Sequence, residues 1–388
     1  MPKKEVNSPV PGHEAFERTD SAAVQSQAAL LLLLGRQLRG DDRALLARAA
    51  ATENEGFVDP VPDDDLRAFP VPRLRPTGER LGVRRISALL AESFGSDITA
   101  TPAGIAKSRN LRRPLRQLAD QLYATPDPIV AAQLMEASLR HPEELTRVAA
   151  AASYFELSTQ PKRLIKMLAG GTRSEDELVR DVAAVALARI SPSHARLRQL
   201  TKGSPIRSRR KPSRTSLMVH GTFAKNSDWW QPGGDFHEFI RRTVRPDLYG
   251  ANDRFDWSGG YSDDARAMAA TDLRDWVNVH NLAGLDIFAH SHGANVAMLA
   301  SQSGLTVGTL VMMSCPVHIH KYSPNPNAIA RAVSVRVHLD LVILADLGGQ
   351  RFNHPNIEEH VLPIWFDHSA THEPKVWRKH RVKELLGL

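Results

Sequence analysis

The chain reads as an α/β protein: a mostly parallel sheet with helices on both faces, preceded by an all-α half. Three observations predict this. Short, nearly continuous apolar runs recur at 216–219, 253–257, 285–290, 308–314, 333–339 and 360–366, as buried parallel strands do. Helix-length segments such as Asp264 to Val279 separate several of them, as crossovers between parallel strands require. Before residue 206 the chain is instead rich in alanine, leucine and arginine.

A length of 388 residues suits two or three domains, and composition places the boundary. All six tryptophans and thirteen of sixteen histidines follow residue 214. That part carries 16 Lys and Arg against 18 Asp and Glu, whereas the whole chain has 50 against 43, so the basic excess lies in the first half. The expected organisation is a polar, flexible tail over 1–26, a helical domain over 27–205, a basic linker over 206–214 and an α/β domain over 215–388.

Within the helical domain an early helix is expected from Ala28 to Ala50, and a proline-rich stretch from Pro60 to Pro76 follows it. Between about 128 and 200, Leu145–Tyr154 aligns with Leu178–Leu187 at an offset of 33, with Arg147 and Arg180 in register. The small residues in these segments let helices approach closely. This resembles HEAT-type helical repeats, although an ordinary helical bundle accounts for the pattern equally well.

The segment Leu285 to Gly293, Leu-Asp-Ile-Phe-Ala-His-Ser-His-Gly, carries the chemistry. An apolar strand stops at Ser291, and a helix-forming run from Ala294 to Ser301 follows. Strand, sharp turn and helix form a nucleophile elbow, which lifts one hydroxyl above the sheet. A serine hydroxyl is a weak nucleophile and needs a base oriented by an acid, with amides where the oxyanion forms.

Candidates for each follow in order. His220-Gly-Thr-Phe223 comes straight after the first strand, so the Thr222 amide, with Phe223 as the rival, would join the His292 amide as oxyanion donors. Asp340 follows the strand over 333–339, and Asp346 is the alternative acid. His368 comes off the last strand, with His372 as the alternative base; a final helix is expected from about Lys375 to Leu386. All lie at the carboxyl ends of strands, where such sheets bind ligands. His220, Phe223, Trp229, Trp230 and His290 are the candidates for lining a substrate pocket.

The order His-Gly-Thr, Ala-x-Ser-x-Gly, Asp, His resembles the α/β-hydrolase superfamily, specifically its small lipase- and esterase-like members. Phe255–Gly260 and the final His368–Trp377 segment are similar to what bacterial members carry. The resemblance covers about residues 215 to 388. It implies a serine hydrolase of carboxylic esters, working through a Ser291, His368, Asp340 triad and an acyl-enzyme, with an ester or lipid-like small molecule as substrate. The chain departs from the family in having no room for two leading strands before Ser216, and no large cap insertion. A degenerate hydrolase fold acting as an interaction module through its helical half is the second reading.

No metal or organic cofactor is expected. His318-x-His320 would place two imidazoles on one face if extended, yet no Cys, Asp or Glu cluster accompanies it in the sequence. No glycine-rich phosphate loop appears. The cluster from Arg207 to Arg214 allows an anionic membrane surface as a partner, while specific nucleic-acid binding is not expected. Ala28 to Leu34 is too short to span a bilayer and lacks the flanks of a secretory signal. A single cysteine, Cys315, rules out an internal disulfide framework, so a cytoplasmic address is the default.

Overall fold

A computed structural model describes residues 5–39, 63–74, 112–158, 160–201, 215–282 and 284–388. The basic linker over 206–214, the far part of the helix expected up to Ala50 and both ends of the proline-rich stretch lie outside the described residues. The chain divides into two compact units. One comprises Met1–Ser191 with Leu344–Leu347 and Ile364–Phe366; the other holds the remainder.

In the first unit, the expected flexible tail is a correction. Residues Gly12–Ala15 form a short helix (α1), and Val6, Val10 and Phe16 are buried. Their side chains explain why: a polar composition concealed three apolar anchors, and the Val10 amide donates to the Ser26 hydroxyl at 3.0 Å. The next helix, Ser21–Leu38 (α2), starts seven residues before the sequence suggested, because Asp20 caps it by accepting from the Ala23 amide. Ala28 to Leu34 are all buried, so the apolar run is a core helix.

Helices Arg112–Ala124 (α3), Pro128–Ser138 (α4), Glu144–Tyr154 (α5), Pro161–Gly171 (α6) and Glu177–Ile190 (α7) follow. Asp127 and Asp176 cap the starts of α4 and α7, and Pro128 and Pro161 stand in first turns where a missing N–H costs nothing. The aligned arginines make the same contacts in both segments. Arg147 donates from Nη1 to the carbonyls of His141 and Pro142, and Arg180 donates to those of Ser174 and Glu175. Each ties the loop entering its helix to the helix itself. Among the described residues no helix is long and apolar enough to cross a membrane.

The sheet has five parallel strands: Leu217–Val219 (β1), Leu285–His290 (β2), Val307–Met313 (β3), Ile329–His338 (β4) and Ile357–Trp365 (β5). They lie side by side in chain order. Register is fixed by pairs such as Met218 with Phe288, Ala289 with Met312 and Met312 with Ser334. Leu217, Val219, Ile287 and Ala289 face helices Asp263–Val279 (α8) and His292–Gln302 (α9) in one apolar cluster. On the opposite face Phe288 meets Trp377, which stands edge-on to Phe236 and Phe239 of helix Asp235–Thr243. Helices thus cover both faces, as expected of this class.

The strand expected at 253–257 does not pair. Phe255 and Trp257 are buried, but the segment is an extended connection, and β1 is flanked by a lone parallel bridge from Ser216 to Leu248. Alternating burial marks an extended chain; it does not report whether the backbone finds a neighbour. The final helix is also broken, into Pro374–Lys379 and Val382–Leu385, by Arg381 at φ 51.

Candidate active site

β2 ends at His290 and α9 begins at His292, so Ser291 alone makes the turn, at φ 53 and ψ −135. A non-glycine residue there is strained by roughly 1–3 kcal/mol, and such strain gathers at functional sites. The Ser291 amide is held by the Met313 carbonyl at 2.8 Å, which anchors the turn to β3. Gly293 has no alternative: a Cβ there would stand 2.5 Å from the His220 carbonyl oxygen and 2.8 Å from that of Val219. Close passage of α9 over the end of β1 is what the motif's glycine permits. The elbow is not alone in its conformation. Ser314, Leu339 and Phe366, each following the end of β3, β4 or β5, also have positive φ.

The loop after β1 meets the elbow directly. A Cβ on Gly221 would lie 2.7 Å from Ser291 Cβ and 3.1 Å from the His290 carbonyl. At Phe223, φ is 62, and its amide donates to the Gly259 carbonyl at 3.0 Å. The Phe223 amide is thereby committed elsewhere, and of the loop's two candidate donors Thr222 remains. The His292 amide occupies the first position of α9, where a helix supplies no internal acceptor and its dipole favours negative charge.

Asp340 and His368 come together. His368 Nδ1 lies 2.7 Å from Asp340 Oδ2, and both side chains are buried. Asp340 directly precedes helix Leu341–Asp346 and caps it: Oδ1 accepts from the amides of Val342 at 2.9 Å and Ile343 at 3.2 Å. A fully buried carboxylate is costly unless bonded on all sides, and here both oxygens are engaged. Asp346 closes the same helix, and it is Asp340 that bonds this imidazole at Nδ1. A continuous strand through 345 is excluded, since the chain turns at Leu339, φ 46.

His368 opens a 3-10 turn, His368–His372, which Asp367 caps by accepting from the Ser369 amide at 3.1 Å. Thr371 Oγ1 donates at 3.1 Å to the hydroxyl of Ser314, just past β3, fixing that turn over the sheet. The His368 carbonyl accepts from His290 Nε2 at 3.3 Å, and the two rings are 4.6 Å apart. The base candidate therefore sits against the residue preceding Ser291.

The residues expected to line a pocket divide. Trp229 is half-buried and stacks on His372 at 4.1 Å and 12°, with its edge toward His290. Phe223 is also half-buried. Trp230 and His220, by contrast, are each 1% exposed and belong to the scaffold. Trp230 donates to the Ala224 carbonyl, and His220 is bonded at 3.3 Å to Asp256 and packed between Trp230 and Trp257. Burial works against the Asp256 charge, but His220 and Lys225 outweigh it and hold that carboxyl below its ordinary range. His290 is wholly enclosed; burial, then repulsion from His372 and His368, pushes its pKa well below that of a free imidazole. His318 and His320 do not share an extended face, because the chain turns at Ile319 and His320.

Sequence reasoning missed Gln350. Its Oε1 accepts from the Asp340 amide at 3.0 Å and its Nε2 donates to the Asp340 carbonyl at 3.3 Å, clamping the acid's backbone. Nothing in a glutamine ten residues downstream announces such a contact. Comparison with family models, curated proteins and solved structures finds no match for this chain.

Proposed function

We propose that the chain is a serine hydrolase of the α/β-hydrolase type that cleaves carboxylic esters. The observation that carries this reading is the 2.7 Å Asp340–His368 bond set against the strained Ser291 elbow. Asp340 fixes the imidazole with Nδ1 protonated, which makes Nε2 the basic nitrogen. Ser291 Oγ attacks the ester carbonyl carbon while its proton passes to His368 Nε2. The amides of Thr222 and His292 take the oxyanion. Collapse expels the alcohol, which leaves with the proton from His368. Water then attacks the acyl-enzyme by the same route, releasing the acid and restoring Ser291.

The test is covalent labelling with a fluorophosphonate probe. The parent chain is expected to label and Ser291→Ala to lose the label. Equal labelling of both would overturn the assignment. A folded protein inert toward esters of all chain lengths and toward phospholipids would instead favour the interaction-module reading.

The helical half is proposed to be HEAT-like. Support comes from Arg147 and Arg180, 33 positions apart, each bonding the carbonyls five and six residues before it.

A further inference from the structure

We infer that His290 is a positioning residue for His368, an inference that rests on the hydrolase reading above. His290 stands directly before the elbow serine, and its ring is buried. Its Nε2 faces a carbonyl oxygen, so that nitrogen must carry the hydrogen and donate to His368 at 3.3 Å. The bond reaches the backbone of the very residue whose ring must meet Ser291. A second face is set by His372, perpendicular at 88° and 4.5 Å away, which is itself stacked on Trp229. His290 at the end of β2 and Trp229 thus pack against His372 of the turn that carries the base.

The position in sequence gives this contact its effect. His290 and Ser291 are adjacent, so one rigid peptide unit joins the nucleophile to the donor that holds the base's backbone. Any shift of the elbow carries the His368 turn with it, and the distance between attacking oxygen and imidazole is preserved. His290 can do this only while uncharged. A cation enclosed beside His368 would oppose the imidazolium that forms when the serine proton is taken. Burial among His220, His368 and His372 keeps it neutral.

The experiment compares His290→Phe, which keeps a ring without the donor, with His290→Gln, which keeps a donor near the same place. Each is measured on a short-chain p-nitrophenyl ester, by fluorophosphonate labelling and by thermal melting. His290→Phe is expected to lower kcat about 10²-fold with KM unchanged, the usual effect of misplacing a reacting group by about an ångström. Labelling should slow in proportion, while His290→Gln recovers most of the rate. A folded His290→Phe protein that turns over like the parent would overturn the inference. So would parallel losses of rate and melting temperature in both variants, which would mark a packing role. Failure of the parent itself to label would sink the hydrolase reading and this inference together.

Discussion

Asp340 meets His368 with one carboxylate oxygen and spends the other on the amides of Val342 and Ile343. The acid is thus held by a helix start and holds an imidazole in turn. Replacing it with asparagine keeps the size but presents the wrong group to Nδ1 and disfavours the needed tautomer. Asp340→Asn is expected to lower kcat by about 10³–10⁴. Asp346→Asn, which leaves the Asp340–His368 bond in place, should lose far less. Ester turnover by the two variants, side by side, checks the assignment.

Gly293→Ala should be among the most damaging conservative changes. Its methyl would meet two backbone carbonyls, of His220 and Val219, and neither can rotate away as a side chain could. Overpacking of this kind costs about 1–3 kcal/mol. Chemical denaturation is expected to show that loss, while Gly304→Ala, on an open turn, costs only the strain of its positive φ.

Acid should destabilise the fold in a defined window. His237 and His290 are both held neutral by burial, with pKa values below the ordinary one. As pH falls through about 6.5 the unfolded chain takes up protons that the native rings refuse, so stability drops by up to about 1.4 kcal/mol per pH unit for each ring. The carboxylates with lowered pKa, such as Asp253 and Asp256, act only at more acid pH. Melting temperature is expected to fall between pH 6.5 and 5, and less steeply in His290→Phe. An identical slope in the variant would contradict the account.

In the helical unit, Arg147→Ala and Arg180→Ala should each cost about 1–2 kcal/mol, because each strands two loop carbonyls. Lysine should restore part of the loss, since one nitrogen, Nη1, makes both bonds in each arginine and an ammonium also carries several donors. Denaturation midpoints of the four variants measure this. Similar penalties at both positions would support a true repeat.

Much of the site was legible because its signals are local. A strand halting at Ser291, a His-Gly after β1, an aspartate and a histidine after later strands can all be read from short windows. The choice between Asp340 and Asp346 could not, since it depends on where a helix starts, and Leu339 must turn left-handed for Asp340 to cap it. His220 and Trp230 misled for a related reason. Their partners, Asp256 and Ala224, are known only once the loops have folded, and an aromatic residue beside a candidate site looks the same whether it lines the site or supports it. The false strand at 253–257 and the buried segment around Val6 were lost the same way: composition records what a side chain prefers, not which backbone lies next to it.

The sequential order of the five strands sets a timetable. As the polypeptide leaves the ribosome, β1, β2 and β3 can associate and seat Ser291 while the residues of β5 are still unmade. The imidazole arrives only after β5. A growing chain would therefore hold the strained serine turn in place before the turn that carries His368 exists.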